Sequence, residues 1–168
     1  VPRLSGQVDL LPVLLPGGLA AQAAEGRLLR IRGQLRSFNN RSGVGSRLVL
    51  TVYAQELQPG LDEPQNEISL SGALCKPPVF RRTPLGRSIC DLMLAVPRRY
   101  GRADYLPVIA WGQLAVKASR LQVGDPLSLE GRVQSRTYHK TLESGETEER
   151  TAYEVSMMRL LDPENTEA

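Results

Sequence analysis

Asp104-Tyr105-Leu106-Pro107-Val108-Ile109-Ala110-Trp111 runs directly into Gly112-Gln113-Leu114-Ala115-Val116-Lys117-Ala118-Ser119-Arg120-Leu121 and then Val123-Gly124-Asp125. The first eight residues have the period of a strand, with Leu106, Val108 and Ala110 on one side and Tyr105, Ile109 and Trp111 on the other. The next ten have helical composition and stop where a glycine can end a helix. A strand therefore hands over to a short helix, which is the junction that decides the architecture.

Working outward, residues 67–76 and 89–96 read as strands that precede this junction, with Pro77-Pro78 bending the chain and Pro84-Leu85-Gly86 turning it. After the helix, residues 126–138 and 150–160 read as two more strands, joined by a long hairpin with the polar tip Glu143-Ser144-Gly145-Glu146. The order strand, strand, strand, helix, strand, strand predicts an OB-fold, a small Greek-key barrel of five strands with one helix between strands 3 and 4. In the fourth strand Leu127, Leu129, Gly131, Val133 and Ser135 are expected to point inward, and Arg132, Gln134, Arg136 and Tyr138 outward. Aromatic rings interleaved with guanidinium groups on the outside of a barrel make a stacking platform for bases, each worth about 1–3 kcal/mol in single-strand binders generally.

The charge follows the same segment. The chain carries a formal net charge of +3, yet residues 75–140 hold twelve basic side chains against four acidic ones, and residues 141–168 hold two against eight. Such a basic segment is an electrostatic footprint for phosphates. Charge also keeps a surface soluble, so it does not decide the matter alone.

The chain also repeats itself. Val1-Pro2-Arg3-Leu4-Ser5-Gly6-Gln7-Val8-Asp9-Leu10-Leu11-Pro12-Val13 returns as Val96-Pro97-Arg98-Arg99-Tyr100-Gly101-Arg102-Ala103-Asp104-Tyr105-Leu106-Pro107-Val108. Leu19-Ala20 matches Leu114-Ala115, Gly33-Gln34-Leu35-Arg36-Ser37 matches Gly131-Arg132-Val133-Gln134-Ser135, and residues 47–52 match 150–155. The offset drifts only in turns, as it does between homologous domains. The fold expected is thus mostly β, with two tandem OB-folds: a partial, degenerate first unit at 1–59, a linker at 60–66, a second unit at 67–161 and a short acidic tail at 162–168. With 168 residues and 41% apolar content the chain suits two small domains rather than one large enzyme core. Units of that size are expected to pack with each other or with another chain. The first has no counterpart of residues 66–95 and would leave open strand edges. The expectation is a barrel incomplete at its N-terminus, through truncation or because another chain supplies the strands.

Other chemistry finds little footing. His139 is the single histidine and lies between Tyr138 and Lys140 at a strand end, without a carboxylate pair, nucleophile elbow or phosphate-cradling glycine loop. No enzymatic activity and no cofactor are expected. Cys75 and Cys90 are too far apart for a CxxC motif and have no histidine cluster, so no metal site is expected and reduced thiols fit a cytoplasmic protein. Arg3, the apolar run at 10–15 and Ala20-Ala21-Gln22-Ala23 look like a secretory signal, but prolines and glycines interrupt the run, and the pattern recurs at 96–115. No apolar run is long enough for a membrane span.

Several segments together carry a family resemblance: Thr83-Pro84-Leu85-Gly86-Arg87, Leu94-Ala95-Val96 with Arg98-Arg99-Tyr100, residues 104–112, Glu130-Gly131-Arg132-Val133-Gln134-Ser135-Arg136-Thr137-Tyr138, and Thr151-Ala152-Tyr153-Glu154-Val155. In this order and spacing they resemble the bacterial single-stranded DNA-binding proteins. The resemblance covers residues 66–161 and implies stacking aromatics at Tyr100, Tyr105, Trp111 and Tyr138. Arg98, Arg99, Arg102, Arg132, Arg136 and Lys140 are the cations expected to neutralise the DNA backbone. The implied function is non-catalytic binding of single-stranded DNA with little sequence preference, in replication, recombination or repair, in the cytoplasm at the nucleoid. An OB-fold module that contacts replisome proteins, or one that binds RNA, is the alternative. Since typical members assemble four OB-folds, two units per chain imply a homodimer. Replication or repair proteins are further implied partners, although Asn165-Thr166-Glu167-Ala168 lacks the acidic-hydrophobic tip through which the family recruits them.

Overall fold

The computed structural model describes residues 1–43, 47–60 and 63–161, and the expected acidic tail lies outside the described residues. The chain divides into two compact units, Val1–Asn66 and Glu67–Ala168.

The first unit holds strand β1 (Val13–Leu14), a 3-10 helix (Gly17–Gln22), β2 (Leu29–Asn39) and β3 (Leu48–Pro59). They form a three-stranded sheet in the order β1-β3-β2, with β1 parallel to β3 through Val13↔Val52 and β2 antiparallel to β3. Leu50, Ala54 and Leu57 are buried, while Val13 and Ile31 remain 36% and 37% exposed.

The second unit contains β4 (Ile68–Leu74), β5 (Val79–Arg82), β6 (Ser88–Pro97), β7 (Ala103–Trp111), helix α1 (Gln113–Ala118), β8 (Pro126–Thr141) and β9 (Thr147–Leu161). Strand β4 closes the sheet on itself: it pairs with β8 from Ile68 to Ala73, then with β6 through Ala73↔Ala95 and Leu74↔Leu94. The ring continues through the antiparallel pair β6–β7, the parallel pair β7–β9 and the antiparallel pair β9–β8. Five strands thus enclose one interior, an arrangement consistent with the OB-fold. The seam needs close backbone approach, since a Cβ on Gly72 would lie 2.2 Å from the carbonyl oxygen of Ala95.

The interior is largely apolar, with Asp104 at one end of the inward row of β7. Leu74, Leu94, Leu106, Val108, Leu129 and Val155 are almost completely buried, each side chain contributing roughly 1.5–3 kcal/mol relative to exposure. Of the expected inward rows, Leu106, Val108, Ala110, Leu127, Leu129, Gly131 and Val133 are buried, while Ser135, at the end of the row, is half-buried. Cys90 is buried too, and its thiol pKa is pushed up by that burial and by the charge of Asp91.

Two elements differ from expectation. Beyond the Pro77-Pro78 bend the chain forms β5, an edge strand on β6 with Phe80↔Cys90 and Arg82↔Ser88, where only a turn was expected. Four exposed residues of this kind have no alternating pattern, so their strand character comes from pairing rather than composition. The helix is shorter than the expected ten residues, because from Lys117 the chain tightens into three-residue bonds, Arg120 N–H to Lys117 O and Leu121 N–H to Ala118 O.

Taken separately, the two units share local geometry at the repeated residues. Val13↔Val52 and Val108↔Val155 are the corresponding parallel pairs. Matching bulges fall at Arg32/Gly33 and Glu130/Gly131. Matching five-residue loops are closed by Arg3 N–H to Gln7 O and by Arg98 N–H to Arg102 O, both at 2.7 Å. Asp9 and Asp104, 1% and 3% exposed, each face an arginine six residues earlier: Arg3 Nε donates to Asp9 Oδ2 at 2.7 Å, and Arg98 Nε lies 3.2 Å from Asp104 Oδ2.

Candidate nucleic-acid interface

Cross-strand register determines which side chains share the outside of the barrel, because directly paired residues project to the same face. Tyr105 pairs with Ala95, Ile109 with Asp91, and Trp111 with Ile89. Across the parallel pair Ile109 meets Ser156, and across the hairpin Arg132 meets Ser156, Gln134 meets Glu154, Arg136 meets Ala152 and Tyr138 meets Arg150. Tyr105, Trp111, Arg132, Arg136 and Tyr138 therefore lie on one continuous outer face made by β6, β7, β9 and β8. Tyr105 is 47% exposed, Arg136 is exposed, and Trp111, Arg132 and Tyr138 are half-buried. Ile109 shares the face but is buried, since the central strand β7 places it between Asp91 and Ser156 of its two neighbours.

The remaining expected residues sit elsewhere. Tyr100 is on the loop between β6 and β7, 94% exposed and left-handed at φ 64°, ψ 36°. A tyrosine in that conformation costs about 1–2 kcal/mol, so the loop closure holds the ring out in solvent against a local preference. Arg99 and Arg102 are exposed on the same loop. Arg98 differs: its guanidinium lies against Asp104, whose side chain is 5% exposed, so it caps a buried carboxylate rather than standing free. The reason is the inward row of β7, which carries Asp104 along with Leu106 and Val108. Lys140 is exposed opposite Glu148 on the distal part of the β8–β9 hairpin, where Glu148 already accepts from Arg150 at 3.0 Å.

Cations lie directly on the rings. The Arg87 guanidinium carbon is 4.9 Å from the centre of the Trp111 ring, and that of Arg136 is 5.7 Å from Tyr138. Sequence reasoning left Arg87 out of the site. Its signal was available in the Thr83–Arg87 turn, but only the pairing of β6 with β7 brings that turn beside Trp111. In the first unit Arg36 lies 4.1 Å from the Tyr53 ring.

Acids also occupy this face. Arg81 Nε donates to Asp91 Oδ2 at 2.7 Å, and its pKa is raised by that hydrogen bond, against desolvation, with further help from the charges of Asp91 and Glu154. Glu154 is 6% exposed and accepts from Gln134 Nε2 at 3.1 Å, with Arg136 Nε 3.6 Å from its carboxylate. Among the described residues no group of histidine, cysteine or acidic side chains could hold a metal ion, and no helix is long and apolar enough to cross a membrane.

Comparison with known proteins points to one family. The model of the single-strand binding protein family matches residues 65–161. The single-stranded DNA-binding protein of Thermus aquaticus is 39% identical over 103 residues, covering 58% of this chain and 38% of that protein. Single-stranded DNA-binding protein 2 of Streptococcus agalactiae serotype V is 31% identical over 104 residues, covering 58% of this chain and 77% of that protein. The matched segment thus spans well under half the length of these Thermus relatives. Among solved structures, the wild-type single-stranded DNA-binding protein of Thermus aquaticus superposes with a TM-score of 0.70 at 28% identity, covering 85% of this chain and 62% of that one. A deletion mutant of the same protein superposes with a TM-score of 0.73 at 26% identity, covering 97% and 77%.

Proposed function

Because this chain belongs to the single-strand binding protein family, we propose that it binds single-stranded DNA, without catalysis and with little sequence preference, on the outer face of its second unit. The observation that supports this most is the register that gathers Tyr105, Trp111 and Tyr138 with Arg132 and Arg136 on that face. Every base has a π-face, so rings on the barrel hold bases of any identity, while guanidinium groups replace the counterions of the backbone. Tyr100, with Arg99 and Arg102, extends the path from the loop, and Lys140 does so from the hairpin. Arg98 serves this path indirectly, by anchoring the loop to Asp104.

The first unit is a degenerate OB unit in this reading, joined by residues 60–66 and serving assembly, with the protein working as a homodimer that presents four OB units. Its support is the shared parallel pair, bulge and buried Arg–Asp contact at the repeated residues. Replication, recombination and repair are the processes such an activity serves, with proteins of those processes as partners.

Trp111 is the sole tryptophan, so titration with oligo-dT reports on the site directly. Its fluorescence is expected to be quenched, and log affinity to fall with log salt by about 0.7 per phosphate contacted. Absence of salt-dependent quenching would sink the proposal.

A further inference from the structure

The face that carries the stacking rings also carries two carboxylates, and each is matched to an arginine. Arg81 and Asp91 are 48% and 41% exposed in their side chains, a surface pair of the kind that contributes little to stability. The Arg136 side chain is 53% exposed and lies 3.6 Å from Glu154, a loose contact, while the Glu154 side chain is 8% exposed and accepts a hydrogen bond from Gln134. Asp91 pairs with Ile109 and Glu154 with Gln134, so both acids stand in the outer rows among the rings. The asymmetry lies in exposure at the second pair: the Glu154 side chain is buried, whereas the long side chains of Arg81 and Arg136 both reach solvent.

We propose that Asp91 and Glu154 form an intrinsic brake on this face, holding Arg81 and Arg136 in ion pairs that an arriving phosphate must break before it can use them. Each carboxylate is a resident competitor for the same guanidinium that the DNA backbone needs. Binding then exchanges one anion for another, and dissociation is assisted by the carboxylate that recaptures the arginine. The face is tuned for a strand that must be given up, and affinity is held below what its cations would otherwise supply. This inference rests on the proposed single-strand site.

The test uses Asp91→Asn and Glu154→Gln, which keep shape and hydrogen-bonding capacity but remove the charge, in the full chain with folding checked by circular dichroism and thermal melting. Affinity for oligo-dT is measured over about 0.05 to 0.2 M salt. Each variant is expected to bind severalfold more tightly, with a salt slope steeper by about 0.7 for the arginine released. Glu146→Gln at the hairpin tip serves as a control for simple loss of negative charge and is expected to give a smaller change. The gain in Asp91→Asn is expected to vanish in Asp91→Asn/Arg81→Gln, which ties it to that arginine. Folded variants that bind with unchanged or weaker affinity would overturn the brake while leaving the single-strand site standing. A wild-type chain that binds no oligo-dT would overturn both. If Glu154→Gln fails to fold, Asp91→Asn and its double variant, at an exposed pair, still decide the question.

Discussion

Arg98 shows how a residue can read as surface chemistry and turn out to be structure. Asp104 occupies an inward position of β7, and Arg98 bends back to meet it, as Arg3 does for Asp9 in the first unit. Breaking a buried pair from one side leaves an uncompensated charge, and Arg98 keeps some solvent contact. Arg98→Ala is therefore expected to cost up to about 3 kcal/mol, near the low end for such pairs. Chemical denaturation measures this, and an Asp104→Asn/Arg98→Ala double variant is expected to recover part of the loss. The pair was only half legible: the repeat of Arg and Asp at equal spacing was visible, but not that the spacing spans a loop which folds one onto the other.

At the scale of elements, the β8–β9 hairpin depends on a bulge at Glu130/Gly131 that lets the strand turn as it joins the ring. A Cβ on Gly131 would lie 2.2 Å from the Ser156 carbonyl oxygen, which is backbone and cannot move aside without disturbing the ladder. Gly131→Ala is expected to destabilise the second unit by about 1–3 kcal/mol or more, as overpacking does. A lowered denaturation midpoint checks this, and binding per folded molecule should persist. The equivalent Gly33, whose Cβ would lie 2.0 Å from the Tyr53 carbonyl oxygen, marks the same corner in the first unit. Strands with clean alternation, β7 and β8, were readable because burial of one face imposes a period of two. Strand β5 was not, since Val79–Arg82 is exposed throughout and owes its conformation to the β6 edge.

For the whole molecule, the two units share local geometry at the repeated residues and differ in surface chemistry, with Tyr100, Tyr105 and Trp111 standing where the first copy has Ser5, Leu10 and Pro16. Tyr105→Ala and Trp111→Ala are each expected to weaken single-strand binding by about 1–3 kcal/mol, as lost stacking does, whereas Leu10→Ala is expected to leave it nearly unchanged. Oligonucleotide titration of the three variants checks this, and equal losses would refute the division of labour. The sequence by itself determined the order of the five ring strands and the helix of the second unit, most of its inward rows and the repeat, because these follow from local periodicity and from residue identity along the chain. Only the tertiary structure decided that the strands close into a ring at Gly72, that Arg87 lies over Trp111, that Arg98 belongs to Asp104, and that Asp91 and Glu154 stand among the rings. Those relations depend on register between strands far apart in the chain, and a single strand's pattern says which face a side chain takes but not which neighbour it meets there.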